Sequence, residues 1–423
     1  MKKIITSIFS FFVLTAVCSY SLAYEYPITD PFEASIVGTP KEFKAEIPDK
    51  VNVKTREIKV FKDRETPEIF WYDEKLKFSL ATQKDAAPLI FVIAGTGGDY
   101  NSPKVNMLLR VFHQAGFHVV TLSSPTHPSF IVSASSNSVP GNIQEDAKDL
   151  YNVMELIWEN VRDEIGVTEF YLTGYSLGGS QSAFISKLDE DRKIFNFSKV
   201  LMINPSVSLF NSVSILDDFL VNNVPGGLDK MNDFMVETMD QFSKFYTMGN
   251  FVDIDEEFLY AAFRSLKTDP GKLAAVIGIS FRISAADMYF ASDVVRNGGY
   301  LVPQNLALTS TSSLTDYMIT SFRVSFVEYF NEYFYPYFQA IHPELSKQDL
   351  IASTSLKSIE DYLIRSKKIG LMTNQDDFIL APGEIDYLQR VFKSRAKIYP
   401  TGGHCGNMDY KDNVTYMIDF FKN

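Results

Sequence analysis

The sequence predicts an α/β chain: a mostly parallel, doubly wound sheet interrupted by a large, mainly helical insertion. Three observations predict it. Strand-like and helical segments alternate in βαβα order from about residue 88 to 204, and again from 368 to 422. The run 88–94 is almost wholly apolar, the pattern of a strand buried on both faces beneath helices. Between the two alternating regions lie about 150 residues of helical spacing with few strand signals, too many for a structureless loop. With 46% apolar and 22% charged residues among 423, the chain has the balance of a globular protein.

Taken in order, Lys2 and Lys3 precede an uncharged stretch from 4 to 23 that ends in Ser21-Leu22-Ala23. Basic, apolar, then small-x-small is the layout of a signal peptide cleaved before Tyr24. An uncleaved anchor would suit the length, but Thr6, Ser7, Ser10, Ser19 and Ser21 dilute it; a lipoprotein site at Cys18 is spoiled by the bulky Val17. The chain is therefore expected to be exported, periplasmic or secreted. Cleavage leaves Cys405 as the sole cysteine, so no intrachain disulfide can form. No later segment reads as long and uncharged enough to cross a bilayer. Residues 24–66 form a charged extension with little period beyond a short alternation at 57–61.

The first core segment, 67–205, reads as strands at 68–72, 75–80 and 88–94, a helix at 104–115 and a strand at 117–122. A long helix follows at 143–165, with Ile143, Ala147, Leu150, Met154, Ile157 and Val161 on one face and Asn142 and Glu145 as its start signal. Then come a strand at 169–173, a helix at 177–187 and a strand at 199–204. The helical insertion spans 206–366. The second core segment, 367–423, reads as strand 368–373, helix 383–393, strand 396–399 and helix 410–422.

Composition also excludes. A net charge of −12 without a basic block leaves no electrostatic footprint for nucleic acid. There is no C-x-x-C, H-E-x-x-H or Walker loop. Gly95-Thr96-Gly97-Gly98 is not G-x-G-x-x-G, and no acid ends the next strand, so a dinucleotide loop is excluded as well. No metal or cofactor is expected.

Chemistry concentrates where strand 169–173 runs into Gly174-Tyr175-Ser176-Leu177-Gly178-Gly179 and then a helix. A G-x-S-x-G turn from strand to helix strains the serine backbone and exposes its hydroxyl at the carboxyl edge of the sheet. Ser176 needs a base, and the base an orienting acid. Among five histidines, His113 and His118 flank a helix-to-strand connection, His342 sits in the insertion, and His127 is in a loop where it could touch substrate. His404 lies on a glycine-flanked loop directly after strand 396–399, where it can swing toward a serine. Asp376 and Asp377 both end the preceding strand. For an oxyanion, Leu177 offers the N–H at the helix start, and Thr96 or Gly97 the one after the buried strand.

With Ser176, the Gly95–Gly98 loop, Asp376/Asp377 and His404 in the order serine, acid, histidine, the chain resembles the α/β-hydrolase superfamily over 67–205 and 367–423. Asn204-Pro205 and Asn374-x-x-Asp377 are similar to its ABHD/YheT-like branch. Ala94-Gly95 departs from the family's common His-Gly dipeptide, and the insertion is larger than most family lids. The resemblance implies an α/β-hydrolase fold with a cap, and a catalytic triad of Ser176, His404 and Asp377, favoured because Asp-x-Ile-Leu matches the family's acid loop; Asp376 is the alternate acid. It implies a serine hydrolase working through an acyl-enzyme; the leading expectation, drawn from the aromatic insertion, is a small-molecule or lipid-like carboxylic ester with a lipid-like or aromatic acyl group. The same triad would serve a peptidase, amidase or acyltransferase, and the same fold a non-catalytic binding protein. Aromatics of the insertion (Phe242, Phe245, Tyr246, Phe251 and those of 326–338) either line an apolar pocket over Ser176 or fill the insertion's own core. An acidic chain with an aromatic cap favours neutral substrates.

Overall fold

The computed structural model describes residues 24–231, 233, 234, 237 and 270–423. The signal-like segment and Phe242, Phe245, Tyr246 and Phe251 lie outside the described residues. Eight strands form one sheet: β1 (Val53–Ile58), β2 (Leu76–Ala81), β3 (Ala87–Ile93), β4 (His118–Leu122), β5 (Val167–Tyr175), β6 (Lys199–Ile203), β7 (Ile369–Asn374) and β8 (Ala396–Tyr399). Their order is β1-β2-β4-β3-β5-β6-β7-β8. β2 runs antiparallel to both β1 and β4, and every other neighbouring pair is parallel.

Burial on both faces explains the apolar run of β3. Leu89, Phe91 and Ile93 enter one core and Ile90 and Val92 the other, as a period of two requires. A short helix, α1 (Pro31–Val37), precedes the sheet. Within the first half lie α2 (Pro103–Gln114), α3 (Pro128–Ser133), α4 (Ile143–Val161) and α5 (Leu177–Arg192). α2 packs in the core of Ile90 and Val92, while α4 and α5 pack in the core of Leu89 and Phe91. α4 starts where the sequence signals it: the Asn142 side chain accepts the Gln144 N–H.

After β6 come α6 (Leu209–Asn223), α7 (Pro270–Arg296), α8 (Thr315–Arg323), α9 (Phe326–Tyr329), a π-helical turn at Phe330–Phe334, α10 (Tyr335–Ile341), α11 (Lys347–Ser353) and α12 (Glu360–Arg365). α13 (Glu384–Phe392) and α14 (Lys411–Lys422) complete the second half. α6 and α7 touch closely at Gly278, where a Cβ would lie 2.7 Å from Leu220 N. Asp217 of α6 and Arg282 of α7 form a buried ion pair at 2.7 Å. Arg282 also donates to the carbonyls of Phe322 and Arg323 at the end of α8.

Four segments differ from the sequence reading, each for a physical reason. β1 forms inside the charged extension, because an exposed edge strand tolerates Lys54, Arg56 and Glu57. Residues 68–72 are no strand but part of a 3-10 helix, Glu68–Asp73: neighbours Ile69 and Phe70 are buried together while Trp71 and Tyr72 are 67% and 52% exposed, a pattern no alternating strand can satisfy. The insertion's last helices belong to the sheet: Leu356, Ile359 and Leu363 share a core with Ile369 and Leu371. A parallel β6-to-β7 connection needs a crossover helix, and α12 supplies it. Finally, α7 is long and apolar enough, by length and composition, to cross a membrane, contrary to the expectation for later segments; 67% of its apolar window is buried inside the protein, which accounts for that character.

Candidate active site

Ser176 sits between β5 and α5 with φ +55° and ψ −125°, a strained conformation held by its N–H donating to Ile203 O. The elbow is tight. A Cβ on Gly174 would lie 2.4 Å from the Gly178 carbonyl, and one on Gly178 would lie 2.4 Å from Ile93 O. The G-x-S-x-G spacing is thus a consequence of two backbones in contact. It leaves the Ser176 hydroxyl over the N-terminus of α5, where the helix dipole favours negative charge.

His404 reaches this hydroxyl from the loop after β8. Its Nε2 lies 2.9 Å from Ser176 Oγ, and its Nδ1 lies 3.0 and 3.2 Å from the two Asp377 oxygens. Nδ1–H donating to a buried carboxylate leaves Nε2 as the acceptor for the serine O–H. Asp377 is fixed in turn by Asn204 Nδ2, 2.8 Å from Oδ2, and by the Ile379 N–H. The adjacent acid does something else. Asp376 accepts the N–H groups of Gly402 and Gly403 at 3.2 and 2.9 Å, tying down the histidine loop. The geometry therefore separates two acids that the sequence left as alternates: Asp377 faces the imidazole, and Asp376 faces the loop backbone.

Burial works against an imidazolium at His404. The Cys405 sulfur, 3.9 Å from Nε2, and the Asp377 carboxylate outweigh it, so the pKa is held above the ordinary histidine value.

The two oxyanion candidates on the β3 loop also separate. Gly97 N–H donates to Thr126 Oγ1 at 2.8 Å and is occupied. Thr96 lines the cavity beside Ser176, Leu177 and His404, and neither the Thr96 nor the Leu177 N–H has a protein acceptor among the described residues. Of the other histidines, His127 caps α3 by accepting the Ser129 N–H, His118 accepts from Gln83 N–H, and His113 faces Thr82 O. None meets Ser176.

Strand order, antiparallel β2, a serine elbow after β5, an acid after β7 and a histidine after β8 together decide the architecture. The fold is that of the α/β hydrolases. No protein-family model matches the chain, and no curated protein matches it. Solved structures similar to it include a hyperthermophilic esterase from the archaeon Pyrobaculum calidifontis, 15% identical, covering 95% of this chain and 94% of that one at a TM-score of 0.40. Est1E from Butyrivibrio proteoclasticus is 11% identical, with coverage of 82% and 96% and a TM-score of 0.38. A proline iminopeptidase from Mycobacterium smegmatis is 13% identical, with coverage of 87% and 97% and a TM-score of 0.41. The assignment stands on the chain's own strand order and elbow.

Two neighbouring cavities lie near the serine. The first, with about 320 Å³ of empty space, contains Ser176 and His404; the second, about 590 Å³, extends beneath the cap. Thr96, Leu177, Leu209, Val213 and Phe326 line both. Both alternatives for the described cap aromatics are realised. Phe326, Tyr329, Phe330 and Phe334 line the larger cavity, while Tyr333, Tyr335, Tyr337 and Phe338 pack with the cap's own cluster. Sequence reading missed Ser35, and it noted Asn204 and Asn374 without their bracing roles. Asn374 donates to Gly403 O at 2.7 Å, and His404 N–H donates to Ser35 Oγ at 2.8 Å. Asn204 and Asn374 carried a signal as asparagines ending strands; Ser35, 369 positions away from its partner, carried none.

Proposed function

We propose that the protein is an exported serine hydrolase that cleaves carboxylic esters of neutral, apolar acyl groups. The observation that carries the reading is one line of contacts: Ser176 Oγ to His404 Nε2 at 2.9 Å and His404 Nδ1 to Asp377 at 3.0 Å. In this reading Ser176 Oγ attacks the ester carbonyl carbon while its proton passes to His404 Nε2. The carbonyl oxygen becomes an oxyanion and accepts the N–H groups of Thr96 and Leu177. Collapse breaks the bond to the alcohol, which takes the proton from His404. Water, deprotonated by His404, then attacks the acyl-enzyme; the acid leaves and Ser176 regains its proton. Asp377 holds the imidazole through Nδ1 and stabilises the imidazolium.

The substrate class is argued from the walls. Apart from His404, no ionisable side chain but the Tyr329 phenol lines either cavity among the described residues. A charged acyl group would lose its hydration there without a partner. The export part of the reading rests on the Lys2-Lys3 start and the small-x-small sequence before Tyr24. A fluorophosphonate probe with p-nitrophenyl esters and peptide anilides tests the nucleophile and the substrate class. Labelling of the wild type and not of Ser176→Ala, with esters turned over faster than anilides, is expected. Unlabelled folded wild type would favour a binding protein, and faster anilide turnover a peptidase.

A further inference from the structure

The charged extension before the sheet is built onto the histidine loop. α1 lies so close that a Cβ on Gly403 would sit 2.1 Å from Pro31 O, and one on Gly406 2.1 Å from Ala34 O. Ser35 Oγ accepts the His404 N–H at 2.8 Å and donates to Pro31 O at 2.7 Å. Tyr26 Oη donates to Gly406 O at 3.0 Å, and Tyr24 Oη accepts from Asn407 Nδ2 at 2.7 Å. One turn before Ser35 on α1, Phe32 stacks on Phe378, the residue after Asp377, at 5.2 Å, and meets Phe219 of the cap edge-on at 5.3 Å.

We infer that residues 24–39 are a clasp that completes the active site, and that Ser35 is the positioning residue that sets the His404 backbone. The physical need is visible in the loop. Cys405 adopts φ +63° and Gly403 φ +56°, so the peptide units on either side of His404 lie outside ordinary extended or helical geometry. A strained loop keeps one conformation only when its surroundings over-determine it. Asp376 holds the N–H groups of Gly402 and Gly403, and Asn374 holds the Gly403 carbonyl. The His404 N–H, at the residue whose side chain must reach Ser176, is held by Ser35. Without that acceptor the backbone can rotate and carry Nε2 out of line. A displacement of about 1 Å in such a group costs on the order of 100-fold in rate.

This inference rests on the triad reading, and its test separates the two. Ser35→Ala, Ser35→Thr and Ser176→Ala are compared on p-nitrophenyl butyrate, with thermal unfolding of each. Alanine suits a helix interior, so Ser35→Ala is expected to melt within a few degrees of the wild type. The clasp predicts a kcat lowered roughly 10- to 100-fold with KM within about threefold, and recovery of most of the loss in Ser35→Thr, which restores an acceptor oxygen. A Ser35→Ala kcat within twofold of wild type overturns the clasp while the triad stands, provided Ser176→Ala is inactive. So does a loss that follows a lowered melting temperature and is not recovered by threonine. Retained hydrolysis in Ser176→Ala overturns the triad reading and the clasp with it.

Discussion

At the scale of single residues, the site is a set of divided roles. Two neighbouring carboxylates, Asp376 and Asp377, differ in what they face, so their substitutions should differ in kind. Asp377→Asn should lower kcat by about 10³- to 10⁴-fold, the loss expected when an imidazole can no longer be held in its productive tautomer. Asp376→Asn, which weakens two backbone contacts, should lower it by about 10-fold. Equal losses in steady-state assays would contradict the assignment. Acidity gives a second expectation. In the proposed mechanism His404 works as neutral imidazole, and its pKa is held above the ordinary value, so kcat/KM should rise with pH with a midpoint above about 6.5. A midpoint at or below that value would contradict the electrostatic account. These roles were only partly legible beforehand. Ser176 and His404 stood out because a strained elbow and a glycine-flanked loop leave local marks. The two acids did not separate, since adjacent residues on one turn differ only in direction.

Among elements, β3, α4 and α5 read correctly because their own sequences carry the burial pattern that the fold uses. The misread ones take their conformation from a neighbour. β1 is a strand because β2 offers an edge, and 68–73 is a 3-10 helix because Ile69 and Phe70 share a side and a cluster with Phe290. Helical spacing cannot tell a cap helix from a crossover helix, which is why α12 reads as part of the insertion. The cap's own integrity turns on the buried pair Asp217–Arg282. Arg282→Met leaves Asp217 buried and uncompensated and should cost about 3–5 kcal/mol in thermal unfolding, most of it regained in the double variant Asp217→Leu/Arg282→Met. No regain would mean the pair is not the coupling between α6 and α7. The π-helical turn points to a specificity element: Phe330 and Phe334 both line the larger cavity. Phe334→Ala should shift the preferred p-nitrophenyl ester toward longer acyl chains; an unchanged chain-length profile would place the acyl group elsewhere.

The whole molecule gathers three distant stretches of chain at one rim. The sheet's carboxyl edge brings Ser176, Asp377 and His404 together, the cap roofs them with apolar side chains, and the N-terminal clasp closes the back. The Ser35 contact spans 369 positions and the Tyr26 contact 380, separations no local pattern can announce. Export is a claim about the same whole. If the segment before Tyr24 is removed, N-terminal sequencing of the protein recovered from outside the cytoplasm should begin at or near Tyr24. Recovery in the membrane with Met1 intact would replace export by anchoring.

The most direct measurement of the central claim is the covalent intermediate itself. Rapid quench of a p-nitrophenyl ester reaction, followed by peptide mass mapping, should find the acyl mass on the peptide containing Ser176, and His404→Ala should abolish it. Turnover with no acyl adduct under burst conditions, or an adduct on a different residue, would contradict nucleophilic catalysis by Ser176.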